Sequence, residues 1–350
     1  MTDPIVPTGL VASAQAAVPE VPAGATPVEA FPGTSVRLAI GDVFVRTAPP
    51  PAGAEPALFV HGLGGSALNW TDLMHQLSQP TEARGELAAG PSGPVLASEA
   101  LDLPGFGYSP PPADSDYSID ARAAAVISLI DQRATWPVHL VGNSLGGAVA
   151  TRVAARRPDL VATLTLISPA LPDLRPRLLP LRLAVVAMPG VGRWLVNKVS
   201  SIPAAERTDR SISELFADPT RFQPERREES IREVLRRDGL HYATDALLGS
   251  TRALVAEYTR PGPGSLWHDA ALVTAPTLVL HGSHDRLVSP AMAGRAARAF
   301  RNGRVVVLPQ LGHVAMMERP DLVAREMRAF MASAVPGTPG ARGALSGASR

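Results

Sequence analysis

Short runs of β-branched and aliphatic residues alternate along this chain with longer stretches of helical spacing. That alternation narrows the fold more than any other feature. The candidate strands are SVRLAI (35–40), VFVRTA (43–48), ALFVHG (57–62), EALDLP (99–104), VHLVGN (138–143), TLTLIS (163–168), TLVLHG (277–282) and RVVVLP (304–309). Several are apolar throughout, as strands covered on both faces must be. Helical spacing fills 67–78, 119–134, 144–157, 291–301 and 320–333. Pro137 and Pro158 stand where the preceding helices must already have stopped. The repeated order predicts an α/β chain with a mostly parallel, eight-stranded central sheet and helices on both faces.

One segment breaks the alternation. From Pro169 to Ala275 no strand is expected, only helices with proline-rich joints. We therefore expect a core over 34–169 and 276–334, with 170–275 inserted as a helical lid. The Pro-, Ala- and Gly-rich ends predict a disordered arm over 1–33 and a disordered tail over 335–350. QPTEARGELAAGPSGPV (79–95) reads as a mobile surface loop. At 45% hydrophobic and 19% charged residues, the rest can build a sizeable core.

Composition excludes several function classes. A net charge of +1 supplies no global field to recruit nucleic acid or an anionic membrane. The arginines around 221–237 are interleaved with glutamates and read as a solvated helix face. The absence of cysteine excludes disulfides, thiolate metal sites and a cysteine nucleophile. The N-terminal stretch has neither a cationic start nor an unbroken apolar run, so no signal peptide is expected and a cytoplasmic location follows. The most apolar stretch, Leu178 to Val196, is broken by Pro180, Arg182, Pro189 and Arg193, so no transmembrane helix is expected.

VHLVGN runs straight into a helix through Gly142-Asn143-Ser144-Leu145-Gly146-Gly147. This is G-x-S-x-G in the context that gives it meaning: strand, sharp turn, helix. A side chain two residues either side of the serine would collide with neighbouring backbone, and Gly142 and Gly146 remove the collision. The turn lifts the Ser144 hydroxyl above the sheet edge and aims the free N–H groups of a helix start at the reaction site. A glycine-rich turn with a capping serine is the bland reading, and the partners below argue against it.

A serine hydroxyl needs a base to take its proton. His313, in Gln310-Leu311-Gly312-His313-Val314, follows the last expected strand and would reach the same sheet edge. A carboxylate should orient the imidazole and stabilise its charged form. Asp285 follows TLVLHG and precedes His313, and Asp173 is the fallback. His284 should point away from the site. Acyl transfer also needs N–H donors aimed at the developing oxyanion. The backbone of Leu145 supplies one. The loop His61-Gly62-Leu63-Gly64-Gly65 should supply the other, from Leu63 or, alternatively, Gly64. His61 reads as a residue that braces this loop.

HGLGGSALNW (61–70), LDLPGFGYS (101–109), VGNSLGG (141–147), GSHDRLV (282–288) and LGHVAMMERP (311–320) together resemble the α/β-hydrolase superfamily over about 35 to 333. The resemblance implies the triad order Ser144, Asp285, His313, a lid after the sixth core strand, and a structural role for Asp102. Ser144 departs from the dehalogenase and epoxide hydrolase branches, which carry aspartate there. GNSLGG is similar to carbon–carbon bond hydrolases of aromatic meta-cleavage pathways. Those usually read HG-x-GPG in the oxyanion loop and place tryptophan after the histidine; this chain has HGLGG and Val314. Cofactor-free haloperoxidases share the triad.

These readings converge on a serine hydrolase acting on a carboxylic ester through an acyl-enzyme. Carbon–carbon hydrolysis and a non-catalytic hydrolase-fold binding module are the alternatives. No metal-ligand spacing is present and no cofactor is required. The expected partner is a small to medium hydrophobic ester. The lid's start, rich in Leu, Val, Ala and Met with Trp194, reads as core packing, as an apolar substrate pocket, or as a peripheral membrane contact with Arg177, Arg182 and Arg193.

Overall fold

The structure is a computed structural model that describes residues 10–12, 28–80, 93–133, 137–173 and 178–334. The first half of the chain builds β1 (Leu10–Ala12), β2 (Gly33–Leu38), β3 (Gly41–Thr47), β4 (Glu55–Val60), α1 (Thr71–Ser78), β5 (Leu96–Asp102), α2 (Ile119–Arg133), β6 (Val138–Asn143), α3 (Leu145–Arg156) and β7 (Val161–Ile167). Among the described residues only helices separate β7 from β8. The longer ones are α4 (Leu178–Ala187), α5 (Val191–Ser200), α6 (Ala204–Leu215), α7 (Pro224–Asp238), α8 (Ala243–Thr259) and α9 (Leu266–Leu272). β8 (Thr277–Gly282), α10 (Ala293–Ala299), β9 (Gly303–Leu308), α11 (Ala315–Glu318) and α12 (Pro320–Ala334) follow.

The strands form one sheet in the order β1-β9-β8-β7-β6-β4-β5-β3-β2. β3 pairs antiparallel with both β2 and β5, and every other pairing is parallel. Successive strand residues point to opposite faces, which separates the core into two clusters. Leu58 and Val60 of β4 join Val126 and Leu129 of α2 and Val149 and Val153 of α3 on one face. Ala57 and Phe59 join Leu73 and Leu77 of α1 and Met327 and Met331 of α12 on the other. Both faces are therefore covered, and this is why the parallel strands are apolar along their length.

The eight expected strands are all present within a few residues of their expected bounds. β1 is a ninth and lies inside the segment expected as a disordered arm, a correction to that expectation at Leu10–Ala12. It pairs in parallel register with Val305–Val307 of β9. Without it β9 would present an open edge, and a row of unpaired backbone groups is a strong template for even a three-residue apolar run. The loop expected at 79–95 falls largely on 81–92, outside the described residues, as does the tail at 335–350. The expected helix at 67–78 opens as a 3-10 turn over Ala67–Trp70 before α1 begins.

Buried ion pairs bind the helical insert to the sheet's covering helices. Arg152 of α3 pairs with Glu257 of α8 at 2.9 Å and Asp269 of α9 at 2.8 Å. Arg226 of α7 pairs with Asp72 of α1 at 2.8 Å. Arg226 is buried, so the arginine-rich run is not solvated throughout. Its register on α7 places one guanidinium toward the core, where an acid on α1 meets it.

The chain leaves β4 for β5 on one side and then crosses back to β6 on the other. β4 and β6 are therefore neighbours whose following loops diverge, and a crevice opens at their carboxyl ends. The loops carrying His61, Ser144, Asp285 and His313 all leave that edge.

Candidate active site

Ser144 lies between the last residue of β6 and the first of α3, at φ +53° and ψ −117°. An L-residue held there costs about 1–3 kcal/mol and persists only when its surroundings over-determine it. The surroundings do so. The Ser144 N–H donates to the Ile167 carbonyl at 3.1 Å, and its carbonyl accepts from Ala148 at 3.1 Å and Ala170 at 2.9 Å. A Cβ on Gly142 would lie 2.7 Å from the Gly146 carbonyl carbon and 2.8 Å from the Gly147 Cα. A Cβ on Gly146 would enter the Val60 carbonyl, 2.6 Å from its carbon. Glycine at these two positions lets α3 start directly against the ends of β4 and β6.

His313 and Asp285, 28 residues apart in sequence, meet at this edge. The His313 Nδ1 hydrogen-bonds the Asp285 Oδ2 at 2.9 Å, and both residues are buried. The other carboxylate oxygen of Asp285 accepts from the N–H groups of Leu287 at 2.8 Å and Val288 at 2.9 Å. Burial pushes the Asp285 carboxyl upward. The neighbouring His313 and the Val288 N–H outweigh it and hold the group below its ordinary value. Asp173, the alternative acid, lies near Tyr258 of α8; burial and then Asp173 raise that phenol. His284 is exposed and contacts Ser283 at 2.9 Å, as expected of a residue turned away.

The loop after β4 closes a tight turn in which Gly65 N–H donates to the Gly62 carbonyl at 3.1 Å. Gly64 occupies the turn's third position at φ +71°, a conformation glycine adopts without strain. The turn's own bond uses neither the Leu63 nor the Gly64 N–H. The turn also abuts the serine, because a Cβ on Gly62 would lie 3.1 Å from the Ser144 Cβ. The Leu145 N–H opens α3, where intrahelical bonding leaves it without a partner. Both expected donor segments thus flank Ser144.

His61 and Asp102 brace this loop. His61 Nε2 accepts from the Leu103 N–H at 3.0 Å, so Nδ1 carries the proton and donates to the Gly62 carbonyl at 2.7 Å. Burial lowers the His61 pKa to about 4, which keeps the imidazole neutral. Asp102 accepts from Ala67 at 2.6 Å and Tyr108 at 2.8 Å, and burial raises its pKa to about 6.

The structure adds residues that sequence reasoning did not single out. Asn143 Nδ2 donates to the carbonyls of Ile167 at 2.9 Å and His313 at 3.2 Å, tying the serine turn to the histidine loop. Glu318 is buried and accepts from Gly312 at 2.8 Å, Asp218 at 3.0 Å and Ala217 at 3.1 Å. The His313 N–H donates to the Leu215 carbonyl of α6 at 2.7 Å. The insert therefore grips the histidine loop directly. Arg237 of α7 donates to the Gly64 carbonyl at 3.1 Å, and burial holds its guanidinium below the ordinary arginine value. His281 of β8 is buried with no hydrogen bond on either ring nitrogen, and burial lowers its pKa to about 4. Glu318 falls within the stretch LGHVAMMERP (311–320), which carries no local sign of its reach to the insert. Nothing in the sequence marks the reach of Arg237 from a distant helix. Trp194 is 59% exposed, so the start of the helical segment between β7 and β8 does not pack wholly inward.

This sheet, with its serine turn and histidine–carboxylate pair at one edge, defines a hydrolase of the α/β type. The chain belongs to the α/β hydrolase family, whose model matches residues 57–326. It is 28% identical over 289 residues to the dihydrolipoyllysine-residue acetyltransferase component of an acetoin cleaving system from Pseudomonas putida, covering 80% of this chain and 64% of that protein. The chain thus spans under two thirds of that relative's length. It is 25% identical to Lipase 1 of Psychrobacter immobilis, covering 85% of this chain and 83% of the lipase. It is also 25% identical to a 2-hydroxy-6-oxononadienedioate/2-hydroxy-6-oxononatrienedioate hydrolase of Cupriavidus pinatubonensis, covering 80% of this chain and 88% of that hydrolase. Among solved structures, Cfl2 from Burkholderia cenocepacia superposes with a TM-score of 0.71 at 20% identity, covering 87% of this chain and 97% of the other. That likeness concerns the fold.

Proposed function

We propose that the protein is a serine esterase that cleaves a carboxylic ester of a small to medium hydrophobic substrate through an acyl-enzyme. The observation that carries the reading is the strained Ser144 turn at the same sheet edge as the buried Asp285–His313 pair. His313 takes the Ser144 proton as the hydroxyl attacks the ester carbonyl. The N–H groups of Leu145 and Leu63 receive the oxyanion. His313 returns the proton to the departing alcohol, and the acyl group stays on Ser144. Water, deprotonated by the same imidazole, then releases the acid. Asp285 stays ionised throughout and keeps Nδ1 protonated. The lipase relative supports the ester reading. Fluorophosphonate labelling followed by peptide mass analysis tests it, with Ser144→Ala as control. Stoichiometric label on Ser144 is expected together with turnover of short-chain esters. A folded protein with neither would overturn the ester reading and leave two options: an insert that shuts the probe out, or a non-catalytic binding module.

A second reading is carbon–carbon bond hydrolysis of the meta-cleavage type. The cation at the oxyanion turn favours it, since Arg237 at Gly64 would accommodate an anionic substrate group. The relative from Cupriavidus carries a dicarboxylate in its name. Turnover of a vinylogous diketone acid without ester turnover would select this reading.

A further inference from the structure

We propose that the α4–α5 hairpin is a docking surface that seats the protein peripherally on an anionic lipid bilayer. Val185, Met188, Val191, Trp194 and Val199 lie on this hairpin and are exposed by 37%, 50%, 39%, 59% and 51%. They make up five of the nine large hydrophobic residues exposed among the described residues, within one stretch of 15 positions. Exposed aliphatic residues are ordinary when scattered; gathered in this way they mark a contact surface.

The hairpin has an inside and an outside. Gly192 is its buried point. A Cβ there would strike the Val186 carbonyl and lie 3.0 Å from the Leu248 Cδ2 of α8, so this side is closed against the insert. Val191, Trp194 and Lys198 follow helical i, i+3, i+7 spacing on another side of α5. The Lys198 Nζ lies 5.2 Å from the Trp194 ring centroid. An indole beside an ammonium suits the boundary between acyl chains and headgroups.

Charge selects the occupant. The segment 178–200 carries Arg182, Arg193 and Lys198 and no acidic residue. Arg252 of α8 adds a fourth cation where it donates to the Ala187 carbonyl at 2.9 Å. Two acids offset them, Glu214 at 3.8 Å from Arg182 and Asp245 on Arg193. A second copy of the chain would bring two cationic rims together. An anionic bilayer satisfies the apolar residues and the rim at once. No helix among the described residues is long and apolar enough to cross a membrane, so the hairpin would lie on the surface.

The hairpin also sits one helix from the site. Leu248 of α8 touches it, while the adjacent Leu247 approaches the oxyanion turn, its Cδ1 4.0 Å from a Cβ placed on Gly64. Docking would bring the insert side of the crevice toward the lipid. The assignment concerns binding and stands whether or not the ester reading holds.

Co-sedimentation with phosphatidylcholine vesicles, with and without phosphatidylglycerol, tests it. The full chain is expected to bind the anionic vesicles about tenfold more tightly, with the preference shrinking as salt rises. Trp194→Glu should abolish binding, and Lys198→Glu should remove the anionic preference. Turnover of a soluble ester and the melting temperature should stay at wild-type values in both variants. Absent binding, equal retention by both vesicle types, or binding undiminished in Trp194→Glu overturns the assignment. So would a wild-type dimer that Trp194→Glu dissociates while vesicles are ignored.

Discussion

The Glu318 carboxylate accepts the backbone N–H of Gly312 at 2.8 Å, directly before the candidate catalytic histidine. The same carboxylate holds Ala217 and Asp218 of the insert and Arg221 at 3.1 Å. One buried anion thus fixes the histidine loop and the insert segment above it. Glu318→Ala strands three backbone donors, each worth about 1–3 kcal/mol when buried unpaired. We expect a loss of stability of several kcal/mol and a fall in kcat of about tenfold or more through displacement of His313. Glu318→Gln keeps one acceptor oxygen and should recover part of both. Urea melts and steady-state kinetics on the two variants check this.

Asp285→Asn separates orientation from charge. The asparagine can still accept from Leu287 and Val288, so the loop should hold. Its amide can also face Nδ1 and favour the wrong histidine tautomer. The expected loss is about 10³–10⁴ in kcat, with KM and fold little changed. The native Asp285 value is lowered from 3.8, so its stabilisation is present above that pH and lost as pH falls through the lower folded value. The variant should therefore show a shallower stability loss in strong acid. Near-wild-type turnover would transfer the orienting role to another residue.

Much of this arrangement was legible in the sequence because it is local. Strand, glycine, serine and helix are neighbours in the chain, and β-strand period and loop chemistry place Asp285 and His313 at strand ends. β6 and β8 fall on their expected residues for the same reason. What the sequence hid depends on distant contact. Glu318 answers to Ala217 across a long separation in sequence, and Arg237 to Gly64. Leu10–Ala12 has little strand signal of its own and pairs because β9 offers an edge. The direction of Trp194 stayed open between core packing, a substrate pocket and a membrane contact, because composition reports hydrophobicity without direction.

His281 makes the acid side of the stability curve steep. Its folded pKa of about 4 lies below the model-peptide value of 6.5. The unfolded chain therefore binds a proton first, and stability falls as pH drops from 6.5 toward 4. His61 adds a second contribution of the same sign. His281→Leu removes one of the two and also two unpartnered buried nitrogens. Urea midpoints measured across this window should show a shallower slope, with stability at pH 7 unchanged or higher. An unaltered slope would mean that the imidazole gains a proton without cost.

Ser144 carries strain that serves position rather than stability, and substitution can release it. Ser144→Ala and Ser144→Gly both delete the hydroxyl and both should abolish labelling and turnover. They differ in backbone freedom. Alanine must adopt φ +53° at the same steric cost as serine, whereas glycine adopts it readily. Glycine also has the more flexible unfolded chain, which offsets part of the gain. The net expectation is that Ser144→Gly exceeds Ser144→Ala in stability by about 1 kcal/mol. Thermal melts of the two inactive variants make the comparison without interference from catalysis. Equal melting temperatures would show that the backbone strain released by glycine is no larger than the unfolded-state entropy it adds.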